Sequence, residues 1–132
     1  METIAINKLI ELYQVKAHSL AQYITIAEPY YIQEETPTFN AVQNIARNDA
    51  QHADLLQQIL VNYTINYDTA VVNPIYTEYN YLSLHFLKAR LIDDLNAQLL
   101  LIEQIGHHLS GAELQTLCVI QGETKSALAL LG

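Results

Sequence analysis

The sequence predicts an all-α protein, one domain built as a bundle of four long helices, and three observations predict it. Breakers are scarce: prolines stand only at 29, 37 and 74 and glycines only at 106, 111, 122 and 132, so the chain is cut into a few long pieces. Within those pieces apolar residues recur at three- and four-residue steps, the period of one helix face. No alternating strand pattern of useful length, internal repeat or low-complexity tract interrupts them. At 132 residues one core is enough, because a chain of this size removes roughly two-thirds of its unfolded surface from water on folding. Neither a disulfide nor a structural metal is needed, and residues 1–132 read as a single domain.

The first helix is expected from about Thr3 to Glu28, where Ile6, Leu9, Tyr13, Ala17, Leu20, Ile24 and Ala27 form a stripe that stops before Pro29. Thr36-Pro37, a capping residue followed by proline in the first turn, opens the second, with Val42, Ile45, Ala46, Ala53, Leu56, Ile59 and Leu60 on its inner side. Asn73-Pro74 gives the third the same start, and Leu84, Leu87, Leu91, Leu95, Ile102, Ile105 and Leu109 follow. Ser110-Gly-Ala-Glu113 has the form of a capping box, in which serine and glutamate side chains each satisfy an orphan amide of the fourth helix. Its inner face is expected to hold Leu114, Leu117, Ile120, Leu128 and Leu131. The link from Asn62 to Asn73 is too long for the short turns usual between neighbouring antiparallel helices. Twelve extended residues reach roughly 40 Å, the length of a helix of about 24 residues, so this link can cross the whole bundle. The expected topology is therefore two helical hairpins joined by one long crossover between helices two and three.

Charge narrows the partners. Fourteen acidic against six basic residues give a net charge of −8, which repels phosphate backbones and anionic lipid, and no Lys/Arg cluster offsets it. Nucleic acid is not an expected partner. The longest apolar runs, Leu99–Ile102 and Ala127–Leu131, fall far short of the roughly 18 to 20 residues of a membrane span. One cysteine, Cys118, cannot bridge internally, and no secretory leader pattern opens the chain, so a reducing, cytoplasmic location is expected.

Advancing each helix by about 100° per residue shows which polar side chains share the buried stripes. Asp49 and His52 face inward on helix two, in the stretch Asn48-Asp-Ala-Gln-His-Ala-Asp-Leu-Leu56. Lys16 does so on helix one, Asp94 and Gln98 on helix three, and Gln121 and Thr124 on helix four. All lie near the middles of their helices, where a bundle brings them to one level.

Two stretches carry a family resemblance. Gln51-His-Ala-Asp-Leu-Leu-Gln-Gln-Ile-Leu60, preceded by Asp49, resembles the second helix of bacterioferritins, and Ala21-Gln-Tyr23 resembles their first helix. The resemblance, weaker over the rest of the chain, is to the ferritin-like superfamily, bacterioferritins and rubrerythrins among them, and implies that fold with its single crossover. In that family the second and fourth helices each supply Glu-x-x-His and the first and third a single Glu, together holding two metal ions. Helix two keeps the motif with Asp49 for Glu and with His52. The first-helix glutamate position falls on Lys16, Asp94 is the match in helix three, and Gln121 to Thr124 replaces the motif of helix four. The resemblance also implies a homodimer, since such proteins pair along their first two helices.

The departures from the family pattern carry as much as the matches. A protonated lysine does not ligate, and glutamine and threonine are weak donors to iron or manganese. Asp49, His52 and Asp94 are left as metal candidates, a set that suits one labile ion rather than a dinuclear cage. An electrostatic account fits the residues: the Lys16 ammonium, costly to bury alone, takes the place of a cation beside Asp49 and Asp94. Two functional classes remain open. One is a non-enzymatic, structural or regulatory bundle with a degenerate metal site and no cofactor. The other is an iron- or manganese-dependent oxidoreductase or metal-storage protein.

The remaining residues have plainer readings. His18 and His85 fall well off their stripes and are expected in solvent; His107-His108 lies at a helix end, where imidazolium suits the local dipole and a ligand role is the lesser reading. Glu113 is accounted for by the capping box, and Glu123 is expected to point away from the core, although a shift of the fourth helix by one register would bring it into play and favour the metal reading. Cys118 borders the core face with no adjacent base and reads as a buried small apolar residue. Tyr63, Tyr67, Tyr76, Tyr79 and Tyr81 gather on and around the crossover, with Tyr30 and Tyr31 in the first loop. They either form a surface for a protein partner, which tyrosine suits, or cover the chain's own bundle.

Overall fold

The computed structural model of the chain describes residues 3–63, 74–79 and 82–132. Its regular structure is helical: α1 (Thr3–Ala17), α2 (Leu20–Ala27), α3 (Thr36–Val61), α4 (Leu84–Gly106) and α5 (Gly111–Leu131), with 3-10 segments at Gln33–Glu35 and Pro74–Tyr79. Among the described residues there is no strand, and no helix is long and apolar enough to cross a membrane. The five helices make four rods, because α1 and α2 follow one another along the same side. Both pack on α3 and α4, and α5 packs on the same two helices.

The expected single first helix is broken at His18 and Ser19. Ser19 adopts an extended backbone at φ −80°, ψ 158°; its hydroxyl accepts from the Gln22 amide at 3.3 Å, and the Gln22 side chain accepts from the Ser19 amide at 3.3 Å. This reciprocal pair is a capping box, and Ser19-Leu-Ala-Gln22 carries its signature in the sequence. Restarting the helix exposes carbonyls at the end of α1, and Gln22 Nε2 donates to that of Lys16 at 3.3 Å. At its other end α2 stops on Glu28, held at φ +49° before Pro29.

The start expected at Asn73-Pro74 is also displaced. Asn73 lies outside the described residues, Pro74–Tyr79 forms a 3-10 segment, and α4 begins at Leu84 behind an extended Ser83. The 3-10 segment is held by aromatic packing: the Tyr76 ring centroid lies 5.6 Å from that of Tyr23 and 6.2 Å from that of Tyr79. The first orphan amide of α4, Leu84, donates to the Tyr30 carbonyl at 2.9 Å. The capping box at Ser110 is not formed: Ser110 caps α5 without a side-chain bond, and Glu113 accepts from the Tyr63 hydroxyl at 2.8 Å instead. A charge-assisted bond to a distant tyrosine has displaced the local one. Most of the proposed crossover, residues 64–73 with Tyr67, and Tyr81 lie outside the described residues.

Two apolar clusters fill the bundle. One joins Leu20 and Ile24 of α2 with Val42 and Ile45 of α3, Leu84 to Leu95 of α4, and Ala127 and Leu131 of α5. The other joins Leu9, Leu12 and Tyr13 of α1 with Leu56 to Leu60 of α3, Ile102 and Ile105 of α4, and Leu117 and Ile120 of α5. Helices α3 and α4 thus both run from the first cluster to the second, while α5 runs back. Between the clusters lies a polar layer.

Candidate functional site

Every buried polar or charged residue among those described, Lys16, Ser19, Asp49, His52, Gln98 and Thr124, belongs to this layer. Each arrives on the apolar stripe of its own helix. Lys16 closes the α1 stripe Ala5, Ile6, Leu9, Leu12 and Tyr13 and is fully buried at 0 % exposure. Asp49 and His52 interrupt the buried face of α3, Gln98 that of α4, and Thr124 that of α5.

The centre of the layer is an ion pair. Lys16 Nζ lies 3.0 Å from Asp49 Oδ1 and donates to Thr124 Oγ1 at 3.1 Å. The Thr124 hydroxyl in turn donates to the Ile120 carbonyl at 2.8 Å, which fixes its lone pairs toward the ammonium. Asp94 does not join this pair as expected: it is half-buried, and its Oδ2 accepts from Gln98 Nε2 at 2.9 Å. Lys16 therefore balances one carboxylate by contact and the second only through the field.

The titration of the layer follows from burial. Desolvation raises Asp49, opposed by the Lys16 charge and by hydrogen bonds from Ser19 and Lys16. Desolvation also raises Asp94, to about 6; the Gln98 hydrogen bond opposes the rise and the Asp49 charge adds to it. His52 is pushed down to about 3, first by burial and then by the Lys16 cation, so its imidazole is neutral at ordinary pH. Its Nε2 lies 3.6 Å from Glu123 Oε2, and a neutral ring makes this a polar contact, not an ion pair. Both ring nitrogens of His52, Asp49 Oδ2 and Gln98 Oε1 are buried without a hydrogen-bond partner.

Helix α5 buries Leu117, Ile120, Thr124 and Leu131 as expected but is turned enough that Leu114 and Leu128 are only half-buried. Its buried stripe is Leu117, Ile120, Thr124, Ala127 and Leu131. Thr124 sits near the middle of that stripe, which sends Gln121 and Glu123 to opposite flanks. Gln121 leaves the polar layer for a groove between α4 and α5, beside Glu103, His107 and Cys118. Glu123 turns to the α3 side and meets His52. The same rotation exposes Cys118, so the thiol is not part of the core.

Sequence reasoning missed three participants: Ser19, Glu123 and Tyr76. The first announces itself through its capping box, the second depends on the α5 register, and the third reaches the layer by a tertiary route. Tyr76 is buried, and its hydroxyl is raised by desolvation and then by the charges of Asp94, Tyr79 and Asp49. It covers its own bundle, as do the half-buried Tyr63 and Tyr79. His18 is not free in solvent as expected but lines a cavity of about 90 Å³ with Ser19, Tyr23 and Tyr76. His85 is exposed as expected, and His107 and His108 are exposed too.

These donors do not fit a bridged pair of metal ions. An ammonium rests on the carboxylate that would take one ion, Thr124 is engaged with that ammonium, and Gln121 faces elsewhere. Among the described residues no three His, Cys, Asp or Glu side chains are grouped so that they could hold a metal ion. What fold and site define is thus an all-α four-helix protein with a lysine–carboxylate pair sealed at mid-height. No family model, curated protein or solved structure matches the chain.

Proposed function

We propose that the chain is a ferritin-like four-helix bundle with a non-enzymatic, structural or regulatory role, in which the Lys16 ammonium occupies the position of the family's metal ions. The observation that carries this reading is the burial of Lys16 against Asp49 at 3.0 Å with Thr124 as a second acceptor at 3.1 Å. Supporting the topology, the end of α3 and the start of α4 belong to opposite apolar clusters, as one crossover between them requires. A fixed internal cation satisfies the buried carboxylate without any exchangeable ion, and a layer so sealed suits stability and specificity better than turnover.

The partner in this reading is a second copy. A groove of about 460 Å³ between α2 and α3 is lined by Gln22, Thr25, Gln43, Ala46 and Ala50, and Ile26 on its edge is 81 % exposed. Knob and socket on one face meet the self-complementarity that a two-fold contact demands.

A second reading, metal binding with iron or manganese in oxidoreductase or storage chemistry, draws on the unpartnered Asp49 Oδ2 and His52 nitrogens. Elemental analysis of protein expressed with added iron or manganese separates the two. The lysine reading expects no stoichiometric metal. An ion bound per chain and lost from a folded Asp49→Ala, His52→Ala variant would replace it with the second.

A further inference from the structure

The large apolar side chains left in solvent are not scattered evenly. Five of the ten among the described residues, Ile26, Tyr30, Ile32, Ile75 and Phe86, gather where the end of α2, the 3-10 segment Pro74–Tyr79 and the start of α4 meet. The geometry ties this corner together. The Tyr30 carbonyl holds the first amide of α4, Tyr76 packs on Tyr23 of α2, and Ile26 lines one cavity with Tyr76. Phe86 lies at the same angle on α4 as Gln104, which accepts from Lys8 of α1, so the phenyl ring is on the side of α4 that faces α1 and α2. Tyr30 and Phe86 are 74 % and 63 % exposed, too open to be core residues at the edge of burial.

The rim of the corner is acidic. Glu28, Glu34 and Glu78 are exposed and Glu35 is half-buried, the last accepting from the Ile32 amide. Three basic residues lie near this end: Lys88 and Arg90 along α4, Arg90 one turn beyond Phe86, and the exposed Arg47 on the α3 side of Ile26. Four carboxylates around a row of exposed aliphatic and aromatic groups are complementary to a segment with an apolar face flanked by Lys or Arg. A second copy of a chain with net charge −8 would bring like charge against like at this rim.

We propose that this corner is a docking surface for a basic, amphipathic helical segment of a partner protein. It adjoins the α2–α3 groove, with Ile26 on the boundary between them, and does not depend on what the polar layer does. The apolar groups supply contact area from exposed rings that lose little freedom, and the acidic rim supplies orientation and association rate.

The test uses the full chain and two fluorescent peptides of about 18 residues, one of leucine and lysine in helical amphipathic order and its leucine–glutamate counterpart. Anisotropy titrations should show binding of the basic peptide alone. Binding should weaken about tenfold in a Tyr30→Ser, Phe86→Ser double variant, and several-fold in Glu34→Gln, Glu78→Gln or on raising salt from about 50 to about 300 mM. All four substitutions are at exposed positions, and unchanged thermal melting of each variant confirms that the fold survives. The proposal is overturned if the basic peptide does not bind. It is equally overturned if the double serine variant binds undiminished, which would mean attraction to an acidic protein and nothing more. A wild-type dimer that becomes monomeric in that variant would make the occupant a second copy and also end it.

Discussion

At the scale of single residues, the molecule turns on a lysine where burial is most expensive. Removing it leaves Asp49 sealed from water without its counter-charge, so Lys16→Met should destabilise the protein by about 3 to 5 kcal/mol. Lys16→Met with Asp49→Leu should recover much of that loss, because an apolar pair of similar volume has no desolvation to offset. Chemical denaturation of the three proteins measures both. A lone Lys16→Met as stable as the wild type would show that the pair does not hold the layer. The pH dependence has opposing parts, in which Asp49, raised by burial, acts on the same side as Asp94. His52 takes a proton near 6.5 when unfolded but only at about 3 when folded, so acidification through that window favours the unfolded chain. Asp94 behaves oppositely: its folded value of about 6 stands above the ordinary 3.8, so between them the folded state binds more protons and gains stability as pH falls. The two slopes offset each other between about pH 4 and 6. Denaturation midpoints of His52→Asn should therefore rise from pH 7 to pH 5, and rise less in His52→Asn with Asp94→Asn over the same range.

At the scale of elements, the break after Lys16 is an installed feature with its own cap. Ser19 serves the α2 amide and bears on the Asp49 carboxylate from a buried position, so Ser19→Ala should cost about 1 to 2 kcal/mol, at the upper end for a helix cap. Thermal melting reads this directly. Loss of less than a few tenths would mean that the kink is set by packing alone. The other end of α2 offers the reverse prediction. Glu28 is the non-glycine residue with positive φ among those described, and a left-handed conformation costs an L residue about 1 kcal/mol. Glu28→Gly should raise the melting temperature by a few degrees, an increase that strain at φ +49° requires.

At the scale of the whole molecule, the polar layer divides the core without dividing the fold. Helices α3, α4 and α5 pass through both apolar clusters, so damage at one end is felt at the other. Leu9→Ala and Leu91→Ala, one in each cluster, should each cost about 2 to 5 kcal/mol and lower one common transition. Calorimetry showing two separated transitions would mean that the ends melt independently. The proposed dimer is tested at this scale too: Ile26→Glu should shift sedimentation from dimer to monomer while leaving the secondary structure unchanged.

Much of this architecture was legible because helix periodicity is a local property. Prolines, glycines and three- and four-residue apolar spacing marked the rods, and counting along them placed Lys16, Asp49, His52, Gln98 and Thr124 in the interior before any coordinates. Inward direction is all that such counting yields. Whether Lys16 meets Asp49 or Asp94, whether α5 presents Gln121 or Glu123 to the layer, and whether Glu113 caps its helix or binds Tyr63 depend on rotations and offsets between helices. Those are fixed by side chains interdigitating across the whole bundle, where a turn of some tens of degrees exchanges one neighbour for another at little local cost. Sequence thus determined the main buried stripes, while tertiary packing buried Ser19 and Tyr76, exposed Cys118 and decided which of the inward side chains touch.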